Sequence, residues 1–140
     1  VFEAELKARV REPTVVRSGL ERMAVGRSGS KPEYETSVGD PDAVRAMLGG
    51  LGYAEAIAFE KRCRNDEFTA YGRPMLAILV RVPEIDGTYV ELETKVGEEG
   101  ALPDALRDVR AVLGELGIGE GDLTTEMYTD AVRARRTGKS

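Results

Sequence analysis

Residues 2–10 alternate polar and apolar positions and predict a strand. Residues 13–24 change to a helical period, with Val16, Leu20 and Met23 on one stripe and Pro13 at the start. Residues 26–31 read as a loop, and 32–38 as a second strand. Asp40 suits a helix cap, with the helix over 41–51 and its end at Gly52. Residues 54–68 form a third extended stretch. Residues 73–83 are rich in Ile, Leu and Val, and Asp86-Gly87 is a turn signal, so 73–96 predicts a hairpin. Residues 104–116 carry Leu106, Val109, Leu113 and Leu116 as a helical stripe that Gly117 ends. A short element around Tyr128 follows. The basic residues from 133 to the end read as a disordered tail, which makes 1–132 one domain and 133–140 its tail.

A repeat runs through these elements. P-x-x-V-R-x-x-L begins at Pro13 and again at Pro41, and Pro103-Asp104-Ala105-Leu106-Arg107 repeats its start. Strand–helix units of this kind predict a sheet with helices packed outside it.

What sets the strands apart is glutamate, which strand propensity does not favour. Glu3 and Glu5, Glu33 and Glu35, and Glu91 and Glu93 each stand one residue apart, and Lys7 and Lys95 continue the first and third pairs at the same spacing. Alternate residues of a strand share a face, so the carboxylates of a pair point the same way, roughly 7 Å apart. Three pairs in one sheet would gather a surface suited to a hard divalent cation such as Mg²⁺ or Mn²⁺.

Composition narrows the chemistry. One domain is expected from 140 residues, and 41% apolar content supplies one core. The net charge of -5 argues against a general nucleic-acid binder. No apolar run is long enough to span a membrane, and no signal pattern opens the chain. The single cysteine, Cys63, excludes an internal disulfide framework and fits a reducing, cytoplasmic setting. Histidine is absent, which excludes imidazole catalysis and leaves carboxylates, amines, tyrosine or metal.

Cations share the strands with the glutamates. Arg9 continues the face of Lys7; Glu60, Arg62 and Arg64 form one face of the third stretch, and Phe59, Lys61 and Cys63 the other. Two arrangements fit. The charges point outward and blunt sheet edges, or a closed sheet turns them inward as a polar tunnel with an acidic rim. A tunnel of that kind suits polyphosphate, with Arg and Lys on the non-bridging oxygens and carboxylates on a metal.

Glu3-Ala4-Glu5-Leu6-Lys7, Lys31-Pro32-Glu33-Tyr34-Glu35, Lys61-Arg62-Cys63-Arg64 and Gly87-Thr88-Tyr89-Val90-Glu91-Leu92-Glu93 stand in an order that resembles the CYTH superfamily, the triphosphate tunnel metalloenzymes. Its members include class IV adenylyl cyclases, thiamine triphosphatases and inorganic triphosphatases. Residues 125–128 weakly match the family's late S-Y element. The resemblance implies an α+β fold, an antiparallel β-barrel tunnel with helices outside. Two departures stand out. Arg81 occupies the position where the family carries an acidic residue ahead of the final pair. Residues 25–30 alone separate the first helix from the second glutamate strand, so about five strands are read where the family's tunnel has about eight. Either strands have been lost, or a segment is missing near residues 24–25; the second is favoured.

By this resemblance the chain is a metal-dependent enzyme acting on a triphosphate by in-line attack at phosphorus. Glu3, Glu5, Glu91 and Glu93 would hold Mg²⁺ or Mn²⁺. Glu33, Glu35 and Lys7 would serve catalysis. Lys7, Lys31, Lys61, Arg62, Arg64 and Lys95 would bind phosphates. The implied partners are a nucleoside triphosphate, thiamine triphosphate or inorganic polyphosphate, without nucleic acid or membrane, and with a homodimer allowed. The alternatives are a non-catalytic binder of nucleotide or polyphosphate, motivated by Arg81, and a tunnel recruited to another metal–diphosphate substrate such as an isoprenyl diphosphate.

Overall fold

The computed structural model describes residues 1–23 and 37–138. Four strands, β1 (Phe2–Val10), β2 (Arg62–Ala70), β3 (Arg73–Arg81) and β4 (Thr88–Val96), make one antiparallel sheet in the order β1-β4-β3-β2. The helices are α1 (Pro13–Met23), α2 (Pro41–Gly50), α3 (Leu102–Glu115) and α4 (Tyr128–Arg136).

The alternation read along β1 divides its residues between two environments. Ala4, Ala8 and Val10 are buried against the helices, while Glu3, Glu5, Lys7 and Arg9 occupy the other face. Strand β3 is apolar on both faces, as a central strand must be. Met75 and Ala77 join the core under α1 and α3; Leu76, Ile78 and Val80 join a second core on the opposite side. The first core contains Val16 and Leu20 of α1 and Val109, Val112 and Leu113 of α3. Gly19 permits the close approach of these layers: a Cβ there would come 2.6 Å from Leu116 Cδ2. The second core packs Val82, Ile85 and Tyr89 with Val132 of α4, and with Ile57 and Phe59 from the segment before β2. This cover reaches one half of the second face. The other half carries the charged residues of β1 and β4.

The turn chemistry follows the sequence closely. Asp40 Oδ1 accepts a hydrogen bond from the Ala43 backbone N–H at 3.1 Å and caps α2. Gly52 and Gly117 take the left-handed conformation after α2 and α3, with φ of 96° and 85°. Between β3 and β4, Gly87 has φ 93° where the Asp86-Gly87 signal placed a turn.

Four expectations change. The described strands leave β1 and β2 as edges, so the α+β expectation stands but the sheet is not a closed barrel. Regular pairing in the third stretch begins at Arg62; upstream, Ile57 and Phe59 turn to the second core instead of joining the ladder. Residues 133–136 are the last turn of α4 rather than a tail. Val132 is fully buried, and Arg136 donates to Glu84 and to the Ala58 carbonyl. Helix α2 buries none of its residues, so it does not pack on the sheet as α1 and α3 do. The expected loop over 26–31, the greater part of the strand over 32–38 and the join near 24–25 lie outside the described residues.

Candidate active site

Cross-strand register determines which charges meet. Glu5 pairs with Glu93, Lys7 with Glu91, and Glu3 with Lys95, all on the same face of the sheet. A carboxylate oxygen from each of Glu3, Glu5 and Glu93 can be chosen so that all lie within 4.8 Å of one another. Glu3 and Glu5 are exposed at the sheet edge, whereas Glu93 is 7% exposed. Like charges directly opposite one another in a strand pair destabilise it, and a buried carboxylate loses hydration. Three hard oxygen donors so close together could hold a divalent cation of the Mg²⁺ or Mn²⁺ type.

Glu91 is engaged differently. Its Oε2 accepts a hydrogen bond from the Tyr128 hydroxyl at 2.7 Å. Burial raises the Tyr128 pKa far above the ordinary tyrosine value, and the bond to Glu91 adds to the effect. Tyr128 therefore remains a protonated donor. The Lys7 ammonium lies 3.6 Å from the centroid of the Tyr128 ring and donates to the Glu126 backbone carbonyl. Burial lowers the Lys7 pKa, against the opposing pull of Glu91 and Glu126. Lys61 Nζ approaches the same ring at 5.5 Å, and Tyr89 meets it edge-on at a centroid separation of 5.5 Å. These groups border a cavity of about 930 Å³ whose lining includes Glu5, Lys7, Lys61, Glu91 and Tyr128. The segment before α4 forms its far wall. It is tied to β1 by the Thr124 N–H, which donates to the Lys7 carbonyl at 2.9 Å.

The expected site residues therefore fall into groups. Glu3, Glu5 and Glu93 come together, and Lys7, Lys61 and Glu91 stand beside them around Tyr128. Lys95 is exposed on the same face, opposite Glu3. Arg62 and Arg64 are not brought to this site. Paired with Arg81 and Leu79, they project from the face that α1 and α3 cover, because even-numbered residues of β2 share the side of Phe68. Arg64 instead lies 3.0 Å from Glu21 of α1. Arg81 shares that opposite face, and its Nη1 donates to the carbonyls of Val82, Ile85 and Gly87. It braces the β3–β4 connection and does not intrude among the glutamates. Lys31, Glu33 and Glu35 lie outside the described residues. Tyr128 and Tyr89 were absent from the expected site; the weak S-Y match at 125–128 was the one signal pointing to the first of them.

Known proteins place this architecture. The structure resembles the PH1819 protein from Pyrococcus horikoshii OT3, with a TM-score of 0.68 at 16% identity, covering 96% of this chain and 100% of the other. It resembles a candidate adenylate cyclase from Vibrio parahaemolyticus, with a TM-score of 0.67 at 16% identity, covering 95% and 98%. A conserved hypothetical protein from Pyrococcus furiosus aligns with a TM-score of 0.64 at 15% identity, covering 93% and 99%. Identities this low speak to the fold alone. No curated protein matches the sequence. The CYTH domain family matches it over residues 7–128, and the chain belongs to that family.

Proposed function

We propose that this protein is a metal-dependent enzyme acting on a triphosphate, of the class IV adenylyl cyclase or triphosphatase kind. The observation that carries the reading is the convergence of the Glu3, Glu5 and Glu93 carboxylates, of which Glu5 also lines the cavity that Lys7 borders. An acidic cluster next to a cation is a poor site for a bare anion and a good one for a metal–polyphosphate. Membership in the CYTH domain family and the fold shared with a candidate adenylate cyclase support it.

Glu3, Glu5 and Glu93 would hold Mg²⁺ or Mn²⁺, which when bound supplies charge neutralisation to the phosphates and polarises the P–O bond under attack. The remaining work belongs to the chain. Lys7 and Lys61 present ammonium groups to non-bridging oxygens. Lys7 is partly desolvated, so its attraction for phosphate exceeds that of a lysine in open water. Tyr128, held neutral, can donate a hydrogen bond but is not a base at physiological pH. Glu91 fixes the Tyr128 hydroxyl, and the ring in turn supports Lys7. The 123–128 segment walls the cavity and restricts water on that side. The nucleophile is a substrate hydroxyl in a cyclase and water in a triphosphatase; the phosphate-binding groups serve either.

The test is to incubate the purified protein with ATP, thiamine triphosphate or tripolyphosphate, with Mg²⁺, Mn²⁺ or EDTA. Released phosphate, pyrophosphate and cyclic AMP are then measured. Turnover of at least one substrate that EDTA abolishes is expected. Tight substrate binding with no turnover would replace the enzyme with a polyphosphate-binding protein.

A further inference from the structure

The face opposite the glutamates carries a second charged concavity. A groove of about 390 Å³ runs between the start of α1 and the β2–β3 pair, and Thr14, Arg17, Arg62, Arg64, Arg81 and Thr88 are among its lining residues. Among the described residues four arginines line it and no carboxylate does, in a chain whose net charge is -5. Two features of this arrangement are unfavourable for the protein alone. Arg62 and Arg81 are direct cross-strand partners, a like-charge pairing that weakens a sheet. Arg64 has two buried nitrogens, Nε and Nη1, that make no hydrogen bond. Its neighbours Glu21 and Asp66 lie at ion-pair distances of 3.0 and 3.3 Å but outside hydrogen-bonding geometry. Arg81 is held in place through the three carbonyls on its Nη1.

We propose that this groove is an anion site for phosphate or pyrophosphate, separate from the glutamate face. Guanidinium forks match the oxygens of a phosphoryl group, and a multivalent anion would offset the Arg62–Arg81 repulsion. Of the ion pairs on these arginines, those of Arg17 with Glu21 at 3.5 Å and Arg62 with Glu60 at 2.7 Å are exposed and contribute little, so an anion can displace them, while Arg64 keeps its buried neighbour Asp66. The site does not depend on the catalytic reading of the other face, because no described residue is shared between the two.

Calorimetric titration with sodium pyrophosphate in EDTA at low salt tests the proposal. The side chains of Arg17 and Arg62 are 60% and 68% exposed, so an Arg17→Ser/Arg62→Ser variant leaves the core untouched; circular dichroism and a thermal melt check its fold. The wild type is expected to bind, that variant to bind about tenfold or more weakly, and Lys7→Met/Lys61→Met to bind within about twofold of wild type. Affinity kept in the arginine variant, lost in the lysine variant, or absent from the wild type would overturn the site.

Discussion

At the scale of single residues, the two glutamates of β4 share a face yet have different neighbours. Glu93 faces Glu5 and joins the acidic cluster, whereas Glu91 faces Lys7 and receives the Tyr128 hydroxyl. Their replacements should therefore separate. Glu93→Gln removes one of three candidate ligand charges, and Mn²⁺ affinity is expected to fall about tenfold or more, since ligand charge count sets such affinities. Glu91→Gln should leave Mn²⁺ affinity within about twofold but lower kcat/KM about tenfold or more, because Tyr128 and Lys7 lose their anchor. Mn²⁺ titration followed by electron paramagnetic resonance, alongside steady-state kinetics, reads both. Equal loss of Mn²⁺ affinity in the two variants would show that Glu91 is a ligand after all. The pairs themselves were legible in the sequence. The division between Glu91 and Glu93 was not, because it depends on Tyr128, 37 residues beyond Glu91.

At the scale of elements, α4 determines whether Tyr128 reaches the site. The helix is short, and its first residue is Tyr128. An isolated helix of that length is marginal in water, so its position depends on tertiary contacts. Val132 supplies a buried one, and Arg136 supplies a forked pair to Glu84 at 2.7 and 2.8 Å. The Arg136 hydrogen bonds hold the Glu84 carboxyl below the usual carboxylate range. The unfolded chain then binds more protons than the folded one just below the ordinary glutamate pKa. The pair's contribution is accordingly present above pH 4.5, the ordinary value, and lost as pH falls through the lowered one. Glu84→Gln should melt slightly below wild type at neutral pH, with the difference closing as the solution is acidified past that point. A difference independent of pH would mean that the pair does not anchor α4. The basic run from Arg133 looked like a tail because its one apolar residue is Ala134; burial of Val132 just before it and the Glu84 fork make residues 133–136 helix.

At the scale of the whole molecule, the sheet has two chemical faces. One is covered by α1 and α3; the other is split between the α4 core and the charged half. A divalent ion held by Glu3, Glu5 and Glu93 would bind only the folded state, where register brings them together, and should therefore raise stability. The gain is expected to be about 2.7 kcal/mol at a concentration of 100 times Kd. Differential scanning fluorimetry should show the melting temperature climb with Mn²⁺ or Mg²⁺ and return on EDTA addition. A melting temperature indifferent to either ion would remove the metal site from the account.

The strands β1, β3 and β4, the first three helices, the Asp40 cap and the glycine stops were determined locally, by periodicity and turn chemistry that act within a few residues. The common face of Glu3 and Glu5, or of Glu91 and Glu93, was likewise determined locally, because strand alternation requires it. Only the tertiary structure decided which faces meet. Antiparallel register brought Glu3 and Glu5 to Glu93, and the β2–β3 pairing turned Arg62 and Arg64 to the back of the sheet while Lys61 reached the Tyr128 ring and the cavity that Glu5 and Lys7 line. A one-residue change of phase separates those two outcomes, and cross-strand pairing, not residue type, selects between them.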